Sequence, residues 1–261
     1  MNKYLVLLLF TLFNSAYALP ADLLFDGEPI DSLCFFGIET STQTIDLHNC
    51  GAKNQKYIIK GKNSIFSKKD FIGYDWQDPN FTPAPQGYSY YKVFAGKNNK
   101  FWIYTINNGG GSGEFTEIYQ VQRVDKHTLT LKTIMAGDRC NNGIQDVTEK
   151  NHSLTFSVNL TAYDLIDLAD KKISTLKVYD DLAACAVCCV AKAFYTISDN
   201  GPKLTHVTPG QATNMTEMPD QGKYSACFNK LFIADMNKYK INFNQEKIND
   251  FAEKFKQTCI K

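Results

Sequence analysis

Arginine is almost absent from this chain. Arg123 and Arg139 stand alone against an abundance of lysine. Net charge is just as scarce. The 28 lysines and arginines, one of them Lys3 near the N-terminus, face 27 aspartates and glutamates. A balance this close to neutral leaves no global electrostatic footprint for nucleic acid or an anionic membrane. Histidine is sparse too. His48, His127, His152 and His206 are isolated, with no His-x-x-x-His pair to anchor zinc or copper. Beyond the first residues no apolar run approaches the roughly 18 residues of a membrane-spanning helix. The longest, Leu182 to Ala191, fits a buried core element. No period of roughly 20–50 residues repeats, which removes solenoids and propellers.

What is present begins with a leader. In "MNKYLVLLLFTLFNSAYA", Lys3 forms a positive start, Tyr4 to Phe13 an apolar stretch, and Ala16-Tyr17-Ala18 a small-residue cleavage site. Residues 1–18 are therefore expected to be a removed secretory signal, and the rest a secreted or periplasmic protein. The first cysteine, Cys34, lies too far downstream for a lipoprotein anchor. Residues 19–261 are long enough to bury roughly 70–75% of the unfolded surface, so a core does not require disulfides.

Strand signals dominate from Tyr57 onward. "YSYYKVFAG" and "FWIYTINN", separated by "KNN", predict one hairpin; "EFTEIYQVQRV" and "HTLTLKTIMA", around Asp125-Lys126, predict another. "SLTFSVNL" places Leu154, Phe156, Val158 and Leu160 on one face. Helices come late. Thr161 with Asp164 is an acidic relative of the capping box for "TAYDLIDLADKK". Asn244 can cap "QEKINDFAEKFKQTC", whose Ile248, Phe251, Ala252, Phe255 and Cys259 form an apolar stripe. Cys227 to Met236 can pair with it as a shorter helix. The expected fold is α+β, mainly antiparallel β in a sandwich- or barrel-like sheet, stapled by disulfides. Residues 19–200 form the β domain with short helical insertions, and 201–261 a C-terminal helical cap.

Eight cysteines in an oxidising compartment favour a disulfide framework. Spacing suggests Cys34 with Cys50 and Cys227 with Cys259. Cys140 then remains with Cys185, Cys188 and Cys189 of "CAVCC", and pairs with Cys188 or Cys189 because adjacent cysteines rarely bond each other. A thiol-redox or metal centre at Cys-x-x-Cys-Cys is a competing reading. It needs a helix N-terminus to lower the thiol pKa, while Asp180 and Asp181 would raise it.

Several other stretches can carry chemistry. "GDRCNNGIQDVTE" partly matches a calcium loop through Asp138, Asn142, Gly143 and Glu149, but Cys140 holds a ligand position. Arg139, between an acid and a tethered cysteine, can form a structural pair or bind an anion. "NNGGGSGEF", including Gly110, Gly111 and Ser112, can offer backbone N–H groups to a ligand. It matches neither a Walker loop nor G-x-S-x-G, and Ser112 has no identifiable histidine partner. "YDWQDPNFTPAPQGY" is proline-rich, so Tyr74, Trp76 and Phe81 are expected on an exposed aromatic loop. The leading expectation is a binding protein with no cofactor, using Tyr74, Trp76, Phe81, Gly110, Gly111, Ser112 and Arg139 for a protein or glycan partner. The rival is a glycan hydrolase drawing an acidic pair from Asp75, Asp78, Glu114 and Glu117.

Overall fold

A computed structural model describes residues 19–37, 41–62, 70–96, 100–198, 201–210, 218–239 and 243–260. The expected leader, 1–18, lies outside the described residues, as does the "KNN" turn at 97–99. The chain is an antiparallel α+β fold with a C-terminal helical part and four disulfides among the described residues.

The larger sheet has seven strands among those described: β3 (Thr42–Asp46), β4 (Ile58–Gly61), β5 (Ile72–Gln77), β6 (Gln86–Ala95), β7 (Lys100–Asn108), β8 (Phe115–Arg123) and β9 (Thr128–Asp138). Their spatial order is β3-β9-β8-β7-β6-β5-β4, antiparallel throughout. Both predicted hairpins are present, as β6–β7 and β8–β9. Successive side chains on β7 point to opposite faces, and both faces are apolar. Trp102, Tyr104 and Ile106 join Phe94 and Ile118 on one side. Ile103 joins Tyr91, Tyr119, Val121, Leu129 and Leu131 on the other.

Each face has its own cover. The second face lies under the N-terminal lead-in, which includes the small hairpin β1 (Leu24–Phe25) and β2 (Glu28–Pro29) and a four-residue helix α1 (Ala52–Gln55). Leu23, Ile30, Cys34 and Phe35 insert into the core there. Asp31 ties this lead-in together. Its carboxylate accepts the N–H of Leu33 at 2.9 Å and of Ala52 at 3.0 Å, beside the Cys34–Cys50 disulfide.

The first face lies under a four-stranded sheet, β10 (Ile144–Lys150), β11 (Ser153–Leu160), β12 (Ala191–Ser198) and β13 (Gly201–Pro209), in that order. Leu154, Phe156, Val158 and Leu160 are all buried, as their alternation requires. Residues 201–209, expected within the helical cap, are instead strand β13, paired with β12 from Ser198↔Gly201 to Ala191↔Pro209. The Pro and Gly of that segment fall at its ends, where they do not interrupt the ladder.

Three further helices close this side: α2 (Ala162–Asp167), α3 (Ser225–Tyr239) and α4 (Gln245–Cys259). Thr161 and Asp164 form a capping box on α2, and the Asn244 side chain accepts the Lys247 N–H at 3.1 Å on α4. Ile248, Phe251, Ala252 and Phe255 are buried along one stripe, with Phe251 edge-on to Phe228 and Phe232 of α3 and Phe255 edge-on to Phe228. The Cys227–Cys259 disulfide joins the two helices.

Phe255 has no exposed surface and packs on Phe228 and Tyr224. Phe255→Ala should therefore lower unfolding free energy by about 3–5 kcal/mol, measured by denaturant titration. An unchanged midpoint would mean that α4 does not belong to the folding core.

Candidate functional site

Strand direction gathers three connections at one end of the larger sheet. The β5–β6 loop (78–85), the β7–β8 loop (109–114) and the β9–β10 turn (139–143) all emerge there. Sequence-distant residues with candidate roles thereby become neighbours.

The first loop is closed by Asp78. Its N–H donates to the Pro85 carbonyl at 3.1 Å, while its carboxylate accepts the Asn80 N–H and side-chain amide at 2.9 and 2.8 Å. Phe81, at the tip, is 62% exposed, as expected for this stretch. Trp76 is not. It is 2% exposed on β5, stacked on Tyr57 at 4.4 Å and edge-on to Phe36. The physical reason is a cross-strand void. Trp76 pairs with Gly87, and a Cβ there would lie 2.4 Å from the indole ring. Tyr74, half-buried on the same face, donates its hydroxyl to Asp31. Trp76 and Tyr74 thus belong to the lead-in interface, and only Phe81 remains from the expected aromatic group.

The glycine loop folds on Asn108. That side chain accepts the Gly110 N–H at 2.7 Å and donates to the carbonyls of Gly111 and Gly113. The Gly110 N–H, expected to face a ligand, is therefore occupied internally. Gly110 has a φ of +92°, and a Cβ would lie 2.5 Å from the Pro85 Cβ. This close approach seats the glycine loop against the Phe81 loop. The Ser112 carbonyl accepts a hydrogen bond from the Arg139 guanidinium, while Gly111 faces open space.

Arg139 lies in a tight turn with a φ of +39°. Its N–H donates to the Glu114 carbonyl at 3.3 Å, and its Nε stands 3.5 Å from the Asp138 carboxylate. Its own carbonyl accepts the Asn159 amide at 3.2 Å. The next residue, Cys140, is bonded to Cys189, and Cys185 to Cys188. No free cysteine occurs among the described residues. The chain around Cys185 to Val190 is irregular rather than helical, so the dipole that a thiol centre would need is lacking.

The calcium-like residues are dispersed to separate tasks. Asp138 accepts the Glu114 N–H at 2.8 Å, Asn142 donates to Asp164 at 3.3 Å, and Glu149 accepts the His152 N–H at 2.8 Å. No group of three or more histidine, cysteine or acidic side chains able to hold a metal occurs among the described residues.

A tyrosine–carboxylate pair, invisible in the linear reading, stands behind these loops. Tyr88 and Tyr90 sit two apart on β6 and share a face. Tyr88 donates to Glu114 and Tyr90 to Asp75, both at 2.9 Å. Burial, then the hydrogen bond and charge of Glu114, push the Tyr88 hydroxyl well above the ordinary tyrosine range, which keeps it a donor. The residue spacing was the available signal; the acids the two tyrosines meet come from β5 (Asp75) and the β7–β8 loop (Glu114). Beside Glu114 opens a cavity of about 260 Å³ lined by Thr116, Arg139, Asn159, Val187 and the Cys140–Cys189 bridge, among others. Val187 is 76% exposed at its edge. Asp75, Asp78 and Glu117 do not line it. The four acids proposed for a hydrolytic pair are thus not gathered around this cavity. A second cavity, of about 460 Å³, lies between α4 and the segment after α2. Its walls carry both charge signs, with Asn249 bonded to Asp170.

No protein-family model, curated protein or solved structure matches the chain. The geometry alone bears on its function.

Glu117 faces the opposite side of the sheet. There Thr105 and Asn107 donate to its carboxylate, and Ser89 links Asn107 at 2.7 Å to the Ser32 carbonyl at 3.0 Å. Burial raises its pKa above the ordinary 4.5, against the effect of the two hydrogen bonds. A folded-state pKa raised above the unfolded one contributes stability at low pH that is lost as pH rises through the folded value. Glu117→Gln should accordingly melt higher than the wild type at pH 7, with the gap closing as pH falls below about 4.5. A pH-independent gap would mean the carboxylate is solvated.

Proposed function

We propose that this is a secreted or periplasmic binding protein, without a cofactor, whose binding face is the loop-bearing end of the seven-stranded sheet. The supporting observation is the convergence of Phe81, the glycine loop and Arg139, which lie far apart in sequence, around a rigid strand platform. Loops on such a platform are suited to recognition because the scaffold absorbs their ordering cost. Phe81, Phe115 and Val187 expose apolar surface at or beside this end, while Glu114, Arg139 and Asn159 line the cavity. An exposed aromatic on one loop and a small cavity with Glu114, Arg139 and Asn159 in its lining on the neighbouring turn suit a sugar ring or a protein side chain.

The disulfides are consistent with an oxidising compartment. No described helix is long and apolar enough to cross a membrane. The hydrolase reading loses support because its four acids do not share the cavity. The thiol reading loses support because Cys185 and Cys188 lie in an irregular segment with no helix N-terminus to lower a thiol pKa.

The test compares variants on glycan arrays and in capture from the protein's own secretion compartment. Phe81→Ala and Arg139→Ala should weaken binding by about 2 kcal/mol, some thirtyfold, with Phe81→Ala leaving the melting temperature near wild type. Trp76→Ala should instead lose stability, because its ring is core. Wild-type binding by both Phe81→Ala and Arg139→Ala would place the binding face elsewhere.

A further inference from the structure

Among the described strands the seven-stranded sheet ends in β4, and this edge is built differently from the opposite one. β4 pairs only with β5 among the described residues, and Ile58 to Gly61 are all exposed. Ile58 is 48% and Ile59 55% exposed. Among the described residues, no further hydrogen bond is made by the backbone groups that point away from β5. The opposite edge, β3, is built otherwise. It exposes Thr42, Thr44 and Asp46 and buries Ile45.

Charge sharpens the contrast. From Gly51 to Lys62 the chain carries Lys53, Lys56, Lys60 and Lys62 and no acid. All four lysines are exposed, and none forms an ion pair among the described residues. Asp31 accepts the Ala52 N–H, Asp75 accepts from Tyr90 and Asp78 from Asn80, and none of the three is ion-paired to these lysines among the described residues. In a chain of neutral balance, this is a local concentration of positive charge, with Lys60 on β4, Lys62 just past its end, and Lys53 and Lys56 on α1 and its C-terminal cap.

We propose that the β4 edge docks an acidic, extended peptide segment, which adds to the sheet as an eighth strand. An open edge supplies backbone hydrogen bonds to any strand, and its side chains choose among them. Lysines on an edge repel a second copy of the same edge, the usual protection against self-association. An acid-bearing strand meets both features, pairing its backbone with β4 and its carboxylates with the lysines. The placement of the isoleucines argues against an anionic lipid surface. Ile59 shares a face with Trp76 and Ile58 with Gln77, so the two project to opposite sides of the sheet. A bilayer would receive only one of them, whereas an added strand places neighbours beside both.

The probe is a labelled twelve-residue peptide of alternating glutamate and valine, titrated against the full chain by fluorescence anisotropy at low salt. The expected result is saturable binding that weakens with added salt and slows amide exchange at Ile58 to Gly61. The analogous lysine–valine peptide, and a version with prolines replacing alternate valines, should bind at least tenfold more weakly. Combined Lys60→Glu and Lys62→Glu should cost at least tenfold while leaving the melting temperature unchanged. Absence of binding up to roughly 1 mM would overturn the proposal. Equal binding of the proline-containing peptide would also overturn it, since no strand could then be forming. So would capture by phosphatidylserine vesicles without any peptide binding. The salt and proline comparisons use the unmodified chain and remain decisive should the double variant misfold.

Discussion

A sheet that is apolar on both faces must be covered twice. Adjacent residues of β7 demand opposite partners: Ile103 belongs to one core and Trp102 and Tyr104 to the other. At roughly 25 cal/mol per Å² of apolar surface, leaving either face in water would remove a large part of the stability of a domain this size. The architecture answers that demand. The lead-in covers one face, and the four-stranded sheet with α2, α3 and α4 covers the other. The disulfides serve the same end. Cys34–Cys50 closes the lead-in, Cys140–Cys189 pins the turn where the chain leaves one sheet for the other, and Cys227–Cys259 holds the helical cover together.

The covers are not purely apolar. Under the lead-in runs a polar strip from the Ser32 carbonyl through Ser89 and Asn107 to Glu117, in which buried polar groups meet one another. Such a strip fixes the register of lead-in against sheet, because a slipped arrangement would leave buried polar groups unpaired. At the end of the strands the covers thin, with Phe36 of the lead-in reaching Gly109 and Cys189 bridging to the β9–β10 turn. The loops there are braced by Asn108, Asp78 and the Arg139 turn, but Phe81 and the cavity beside Glu114 remain accessible. The candidate binding face is therefore the part of the sheet that packing leaves over.

Local patterns made much of the fold legible. Alternation marked β11, caps marked α2 and α4, and spacing anticipated two disulfides outright and a third as one of two choices. These signals work because period, capping and chain proximity act over a few residues. The errors arose where distant residues decide. Trp76 looked exposed because prolines follow it, yet Tyr57 and Phe36 enclose it and Gly87 leaves room for it. Residues 201–209 were expected within the helical cap, yet β12 supplied a strand partner. The candidate site was legible only in pieces. Phe81, the glycine loop and Arg139 carried recognisable local chemistry, but their adjacency depends on the strand order, as do the contacts of Tyr88 with Glu114 and Tyr90 with Asp75.

The doubly covered sheet is tested most directly by native-state amide exchange, residue by residue, in the intact protein and in a Cys34→Ser, Cys50→Ser variant. The account predicts that β7 and β8 are the slowest-exchanging segments of the intact protein, and that loosening the lead-in accelerates exchange in β6, β7 and β8 together. Exchange in β7 as fast as in the edge strand β4, or a variant whose sheet remains as protected as the wild type, would contradict it.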